Sequence, residues 1–195
     1  MSNADALFQN VSDRAGGLRC DRRHFIRCAA SALALAPVGA SWARGADSRS
    51  LDFVHTHTGE TLSTVYYRDG TYRSDELARV NHLLRDFRTG DVHRIDPTVL
   101  DILYDLQRLA DRAEPFEVIS GYRSPKTNAE LRRHTSGVAA HSLHLQGRAI
   151  DVRLTGVSTR KLHALALGMG RGGVGLYTRS DFVHLDNGRV RYWGS

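Results

Sequence analysis

The chain has 195 residues, 41% of them apolar, with a formal net charge of +6. This length favours one domain, and the apolar content is sufficient for a hydrophobic core. No apolar run reaches the roughly 18 residues of a membrane-spanning helix. The positive charge suits an anionic polymer, but no nucleic-acid recognition motif accompanies it. We therefore expect a globular protein that neither binds nucleic acid nor spans a membrane.

Residues 1–43 are interpreted as a signal peptide with an N-terminal extension. The paired Arg22 and Arg23 precede a modestly apolar run, and small residues follow up to Ala43. A basic, an apolar and a small-residue region in this order are typical of a signal peptide. The arginine pair indicates the twin-arginine route. We predict that the twin-arginine export machinery delivers residues 44–195 to the periplasm as the mature domain.

The mature part predicts one α+β domain, because helices come early and strands cluster late. Strands are predicted at Leu51–His57, Thr61–Tyr67, Phe116–Ile119, Ala149–Leu154, Val174–Tyr177, Phe182–Leu185 and Val190–Trp193. Helices are predicted from a cap at Ser74 to Phe87, from Pro97 to Leu109, from Pro125 to Arg133, and over Ser158–Leu167. We expect a single small antiparallel sheet with the helices packed against it.

Two histidines and one aspartate form the most informative pattern. His144 precedes a predicted strand, Asp151 lies within that strand, and His184 lies in a later one. Gly147 permits a tight backbone path, and the small Ala149 shares the strand face of Asp151. A carboxylate among apolar residues needs a cation or hydrogen bonds. Three such ligands with a fourth position open to water indicate catalytic zinc, which would activate water as the nucleophile.

The remaining candidate ligands carry less weight. Cys20 and Cys28 lie in the predicted leader, so the mature domain has no disulfide and no thiolate ligand. His141, just before the motif, is a candidate to line the cleft. The other histidines are interpreted as ordinary solvent-exposed side chains: His55, His57, His82, His93, His134 and His163.

Two blocks carry a family resemblance: Ser142-x-His144-x-x-Gly147-x-Ala149-x-Asp151 with the later His184, and Ser120-Gly121-Tyr122-Arg123-Ser124. Both resemble the peptidase M15 family of D-Ala-D-Ala carboxypeptidases and murein endopeptidases. Further segments resemble its murein endopeptidase K branch: His57–Glu60, Asn81–Arg88, Gly172–Tyr177 and Phe182–Asp186. The resemblance covers nearly all of the mature chain. It implies a fold of the hedgehog and D-Ala-D-Ala peptidase type.

The resemblance also implies roles for matching residues. His144, Asp151 and His184 would bind one zinc ion. Arg123 would bind substrate and donate to its carbonyl or to the developing oxyanion. Ser142 would orient the substrate or a neighbouring ligand.

The general base stays open, because the chain departs from the family pattern there. Many M15 relatives have a Glu three residues, or a His two residues, before the last ligand. This chain has Asp181 and Phe182 at those positions. Asp181, one methylene shorter than Glu, is a candidate base. Asp186 shares the strand face of His184 and is a second candidate base. We favour the alternative that it is a structural residue or accepts a hydrogen bond from that imidazole.

The implied function is that of a zinc-dependent murein endopeptidase with peptidoglycan as its partner. A zinc-activated water would hydrolyse amide cross-links between stem peptides, either D,D or L,D bonds through diaminopimelate. Two alternatives stay open. One is a D,D-carboxypeptidase that removes terminal D-Ala. The other is a non-catalytic zinc-fold module that binds the cell wall, which the departure at the base positions would explain.

Overall fold

The computed structural model describes residues 47–134 and 138–194, so the predicted leader lies outside the described residues. Within them eight strands form one sheet: β1 (Ser48–His55), β2 (Thr61–Arg68), β3 (Thr71–Tyr72), β4 (Phe116–Ser120), β5 (Ala149–Leu154), β6 (Gly173–Tyr177), β7 (Phe182–Asp186) and β8 (Arg191–Gly194). The helices there are α1 (Ser74–Leu83), α2 (Pro97–Leu109), α3 (Pro125–His134) and α4 (Thr159–Met169), and a 3₁₀ turn spans Leu143–Gln146. The predicted α+β class is confirmed.

The sheet is larger than expected and is mixed rather than purely antiparallel. Its strand order is β3-β2-β1-β4-β5-β7-β6-β8. β1 pairs with β4 in parallel, and so does β6 with β8, whereas the other neighbours are antiparallel. The β1–β4 pair is parallel because α1 and α2 carry the chain back across the sheet, the long crossover that parallel neighbours require.

The first two helices differ in how they begin. Asp96 caps α2 by accepting a hydrogen bond from a backbone N–H, and Pro97 occupies the first turn, as predicted. Ser74 does not cap α1. It is the first helical residue, and Arg73 at the capping position makes no side-chain hydrogen bond that caps the helix. The helix also ends at Leu83 rather than continuing to Phe87.

The two faces of the central strands have different environments. Ile150 and Val152 of β5, with Val183 and Leu185 of β7, are buried in the core to which α2 and α4 contribute. Because side chains alternate along a strand, Asp151 and its neighbours on the same row point to the opposite face. None of the helices among residues 47–134 and 138–194 has the length and apolarity that a membrane crossing requires.

Candidate metal centre

The predicted ligands on strands lie in one row across the sheet. Asp151 on β5 is the direct partner of His184 on β7, and the row continues to Ser120 on β4 and Gly175 on β6. Directly opposite residues of antiparallel strands present their side chains on the same face. The register therefore brings Asp151 and His184 together across 33 positions of sequence.

The third predicted ligand, His144, comes from the 3₁₀ turn. The Ser142 hydroxyl caps this turn by accepting from the His144 backbone N–H at 3.4 Å. Gly147 ends it in the left-handed conformation with φ 64°, and a Cβ there would lie 2.1 Å from the carbonyl oxygen of Arg94. Only glycine meets both requirements. The turn thus delivers His144 to the row that holds Asp151.

Three ligand atoms converge on one point in the site. His184 Nδ1 lies 2.8 Å from Asp151 Oδ1, while His144 Nε2 lies 3.1 Å from His184 Nδ1 and 3.2 Å from Asp151 Oδ1. All three side chains are buried. Ligands about 2.1 Å from a tetrahedral zinc are about 3.4 Å apart. The triangle is therefore close to the size of three corners of such a site.

Hydrogen bonds determine which imidazole nitrogens face that point. His144 Nδ1 lies 2.7 Å from the carbonyl oxygen of Gly121, and His184 Nε2 lies 3.0 Å from Asp186 Oδ2. These oxygens can only accept, so both nitrogens donate. In the neutral imidazoles the other nitrogens present lone pairs to Asp151. Three electron-rich atoms at this spacing repel one another unless a cation lies between them, so the donor set fits a metal ion.

The protonation equilibria agree with a cation site. Burial alone would raise the pKa of Asp151, but its interactions with the His144 and His184 imidazoles outweigh burial and hold that pKa below its usual range. Burial lowers the pKa of His144, which favours the neutral form that a ligand needs. For His184, hydrogen bonds to Asp151 and Asp186 outweigh burial and raise the pKa. A proton and a metal ion thus compete for His184 Nδ1.

Asp186 lies behind His184, on the side of the ring that faces away from the triad. Its buried carboxylate accepts from His184 Nε2, from Arg191 Nη2 at 2.6 Å, and from the N–H groups of Gly173 at 3.0 Å and Gly188 at 2.8 Å. Burial would raise its pKa, but the bonds from His184 and Arg191 outweigh it and lower the pKa. The ionised group holds the imidazole in one orientation.

Asp181 lies in the turn between β6 and β7 and has φ 52°. Its carboxylate accepts from Thr159 Oγ1 at 2.8 Å and lies 3.4 Å from Arg153 Nε. The side chain is 63% exposed. Since a strand rises about 3.3 Å per residue, three residues separate it from His184 by about 10 Å of chain. The structure brings Asp186, and not Asp181, into contact with the candidate ligand His184.

A cleft of about 1030 Å³ opens over the triad, and Arg123, His141 and Ser142 line it. The Arg123 guanidinium lies 3.7 Å from Asp151 Oδ2 and donates to Asn128 Oδ1 at 3.5 Å. Its Nε is buried and has no hydrogen-bond partner among the described residues. Arg123 thus presents an incompletely satisfied cation next to the ligands.

An aromatic wall of the cleft was not predicted. The Trp193 ring lies 5.1 Å from the His184 imidazole, and its Nε1–H donates to the Tyr177 hydroxyl at 2.9 Å. Tyr177 in turn stacks on Phe182 at 4.5 Å. A Cβ on Gly175 would lie 2.6 Å from the Trp193 ring. Glycine within a strand indicates close approach of another group, and this was the one signal in the sequence.

Two histidines that were interpreted as solvent-exposed are notable, one because it lines the cleft while exposed and the other because it is buried. His57 lines the cleft and stacks on Phe87 with 4.1 Å between ring centroids. His55 is 0% exposed, so that interpretation was wrong for it. His55 is the last residue of β1, where alternation from the buried Leu51 and Phe53 places it on the core side.

Comparison with known proteins identifies the family. The family model described as peptidoglycan L,D-endopeptidase MepK, of the M15 peptidases, matches residues 43–193. Peptidoglycan L,D-endopeptidase MepK of Escherichia coli K12 is 43% identical over 145 residues, which cover 74% of this chain and 80% of the relative. Probable peptidoglycan L,D-endopeptidase MepK of Haemophilus influenzae is 42% identical over 146 residues, 74% of this chain and 78% of the relative. No solved structure matches the chain significantly. The chain therefore belongs to the MepK family of M15 metallopeptidases.

Proposed function

We propose that this protein is a zinc-dependent endopeptidase that hydrolyses amide cross-links between peptidoglycan stem peptides. One observation carries the proposal: His144, Asp151 and His184 converge at the base of an open cleft. The chain that forms this cleft is 43% identical to a named peptidoglycan L,D-endopeptidase. L,D bonds are accordingly the cross-links that we propose it cuts.

The proposed zinc ligands are His144 Nε2, Asp151 Oδ1 and His184 Nδ1, which lie within 3.2 Å of one another. Zinc bound there supplies a water of lowered pKa and a Lewis acid for the scissile carbonyl. Ser142 holds the turn that carries His144. The guanidinium of Arg123 stabilises negative charge that develops on the carbonyl oxygen, because it is a largely buried, fixed cation beside the triad.

The same proposal includes the location and the fold type. Residues 1–43 would direct export through the twin-arginine machinery, and residues 44–195 would act in the periplasm, where the cross-links are. The order of a basic, an apolar and a small-residue region supports this. The M15 motifs support a fold of the hedgehog and D-Ala-D-Ala peptidase type.

The test is product analysis with the mature domain and purified cross-linked muropeptides. We expect zinc-loaded residues 44–195 to split L,D-linked dimers into monomers, and chelation to stop the reaction until zinc returns. Loss of one terminal Ala without splitting would instead establish a carboxypeptidase. Binding to the cell wall without any hydrolysis would establish the non-catalytic alternative. Either result contradicts the proposal.

We infer that Asp186 positions His184 and that Asp181 supports the β6–β7 turn. Asp186→Asn is expected to lower zinc affinity or hydrolysis about 10- to 100-fold, the usual effect of removing a carboxylate behind a ligating imidazole. Asp181→Asn, a matched change on the surface, is expected to alter hydrolysis by less than about twofold. Zinc titration and steady-state kinetics on both variants check this. An inactive Asp181→Asn protein with full zinc content would make Asp181 the base.

A further inference from the structure

Four arginines line the cleft: Arg88, Arg123, Arg153 and Arg191. Two of them are neutralised within the fold, since Arg191 pairs with Asp186 at 2.6 Å and Arg153 with Glu117 at 3.3 Å. Among the described lining residues Asp151 is the sole carboxylate, and it faces the two imidazoles. Arg123 lies 3.7 Å from Asp151 Oδ2, so Arg88 is the lining arginine that has no carboxylate partner among the described residues. The cleft therefore holds a positive charge at Arg88 that no described carboxylate balances.

One buried carboxylate places both of these arginines. Asp86, 1% exposed, accepts from the backbone N–H of Arg88 at 2.9 Å and from that of Ser124 at 2.8 Å. Ser124 directly follows Arg123 in the chain. Burial would raise the pKa of Asp86, but hydrogen bonds from Thr127, Ser124 and Arg88 lower it to about 2, so the anchor is ionised. Asp86 thus fixes the backbone at Arg88 and directly after Arg123, so both arginine side chains extend from backbone that the same carboxylate holds.

The side chain of Arg88 is free to bind a ligand. Its guanidinium lies 4.2 Å above the Phe87 ring, which also stacks on His57 and meets His55 edge-on. Within residues 47–134 and 138–194, no carboxylate oxygen lies within 4.0 Å of it. Burial lowers the pKa of Arg123, the charge of Asp151 opposes that effect, and the charge of Arg88 adds to it. Two neighbouring cations that repel each other and have donors to spare indicate an anionic partner.

The proposed substrate carries such an anion at a fixed place. Diaminopimelate has an amino and a carboxyl group on each of its two α-carbons. When one amino group forms the cross-link, the carboxylate on the same carbon stays free. It therefore lies two bonds from the scissile amide nitrogen, close to the scissile carbonyl. We propose that Arg88 binds this carboxylate while Arg123 faces the carbonyl oxygen, an inference that rests on the proposed function. Arg88 would then select amides that have a free carboxylate next to the scissile nitrogen.

The test compares two cross-linked substrates that differ only at this carboxylate, one free and one converted to the primary amide. The zinc-loaded mature protein is expected to prefer the free acid by about 10- to 100-fold in kcat/KM, the range of a charge-assisted pair. Arg88→Ala should lower kcat/KM mainly for the free acid, through KM, so that the preference falls close to one. Arg88→Lys should restore part of it.

Arg132→Ala serves as the control, because it removes an exposed positive charge on α3 outside the residues that line the cleft. It is expected to leave the preference intact. Zinc content and thermal midpoint are measured for every variant, and Arg88→Gln replaces Arg88→Ala if the latter is unstable. A wild-type protein that cuts neither substrate contradicts the proposed function. A wild-type protein that cuts both substrates equally, or an Arg88→Ala protein that keeps the preference, contradicts the proposed role of Arg88 but not the proposed function.

Discussion

Replacing His144 with alanine is expected to remove stoichiometric zinc and to lower cross-link hydrolysis by on the order of 1000-fold, since the metal supplies several kcal/mol of the rate enhancement. The remaining pair, Asp151 and His184, is 2.8 Å apart and offers two ligands instead of three. Zinc analysis after dialysis, combined with muropeptide digestion, checks both parts of the prediction.

The matched control is His82→Ala on α1, where the imidazole is 65% exposed and lies outside the residues that line the cleft. This variant should retain zinc and full activity. Asp151→Asn and His184→Ala should behave like His144→Ala, because each removes one corner of the same triangle. If His144→Ala retains one zinc per chain and hydrolyses normally, the ligand assignment is wrong.

The proximity of His144, Asp151 and His184 could be predicted because the segment around the first two residues carries strong local signals. Gly147 and Ala149 mark the tight path and the open strand face around His144 and Asp151. Strand alternation placed Asp186 on the same face as His184, and the two are in contact at 3.0 Å. These relations span few residues, so period and glycine placement reveal them.

What the sequence did not predict depends on pairings that are distant along the chain. The parallel β1–β4 contact forms across the whole of α1 and α2, and no local pattern specifies that partner. Likewise, the approach of Trp193 to His184 requires β8 to pair with β6, which places Trp193 opposite Gly175. The sheet was therefore expected to be small, and the aromatic wall of the cleft was missed.

The departure at the base positions has a structural counterpart. The β6–β7 turn directs Asp181 towards Thr159 and Arg153 instead of the triad. His57 and His141 do line the cleft. A family pattern read along the chain identifies which residue occupies a position, but the turn conformation decides where its side chain points.

Arg123→Ala is expected to lower kcat about 100- to 1000-fold with a small change in KM, the effect of removing a fixed donor to a developing oxyanion. The variant should retain zinc, because Arg123 contacts the ligand Asp151 only at 3.7 Å. Arg123→Lys should stay well below wild type, since an ammonium cannot present the planar set of donors of a guanidinium. Single-turnover kinetics separates this chemical step from substrate binding.

The thermal midpoint distinguishes this role from a structural one. Arg123 is 13% exposed at its side chain and carries a buried Nε without a partner in the part of the chain that the structure describes. An unsatisfied buried donor destabilises the folded state. Arg123→Ala should therefore keep or raise the thermal midpoint while activity falls, as expected for a group retained for catalysis at the expense of stability. A lower midpoint with unchanged kcat would instead make Arg123 a structural partner of Asp151.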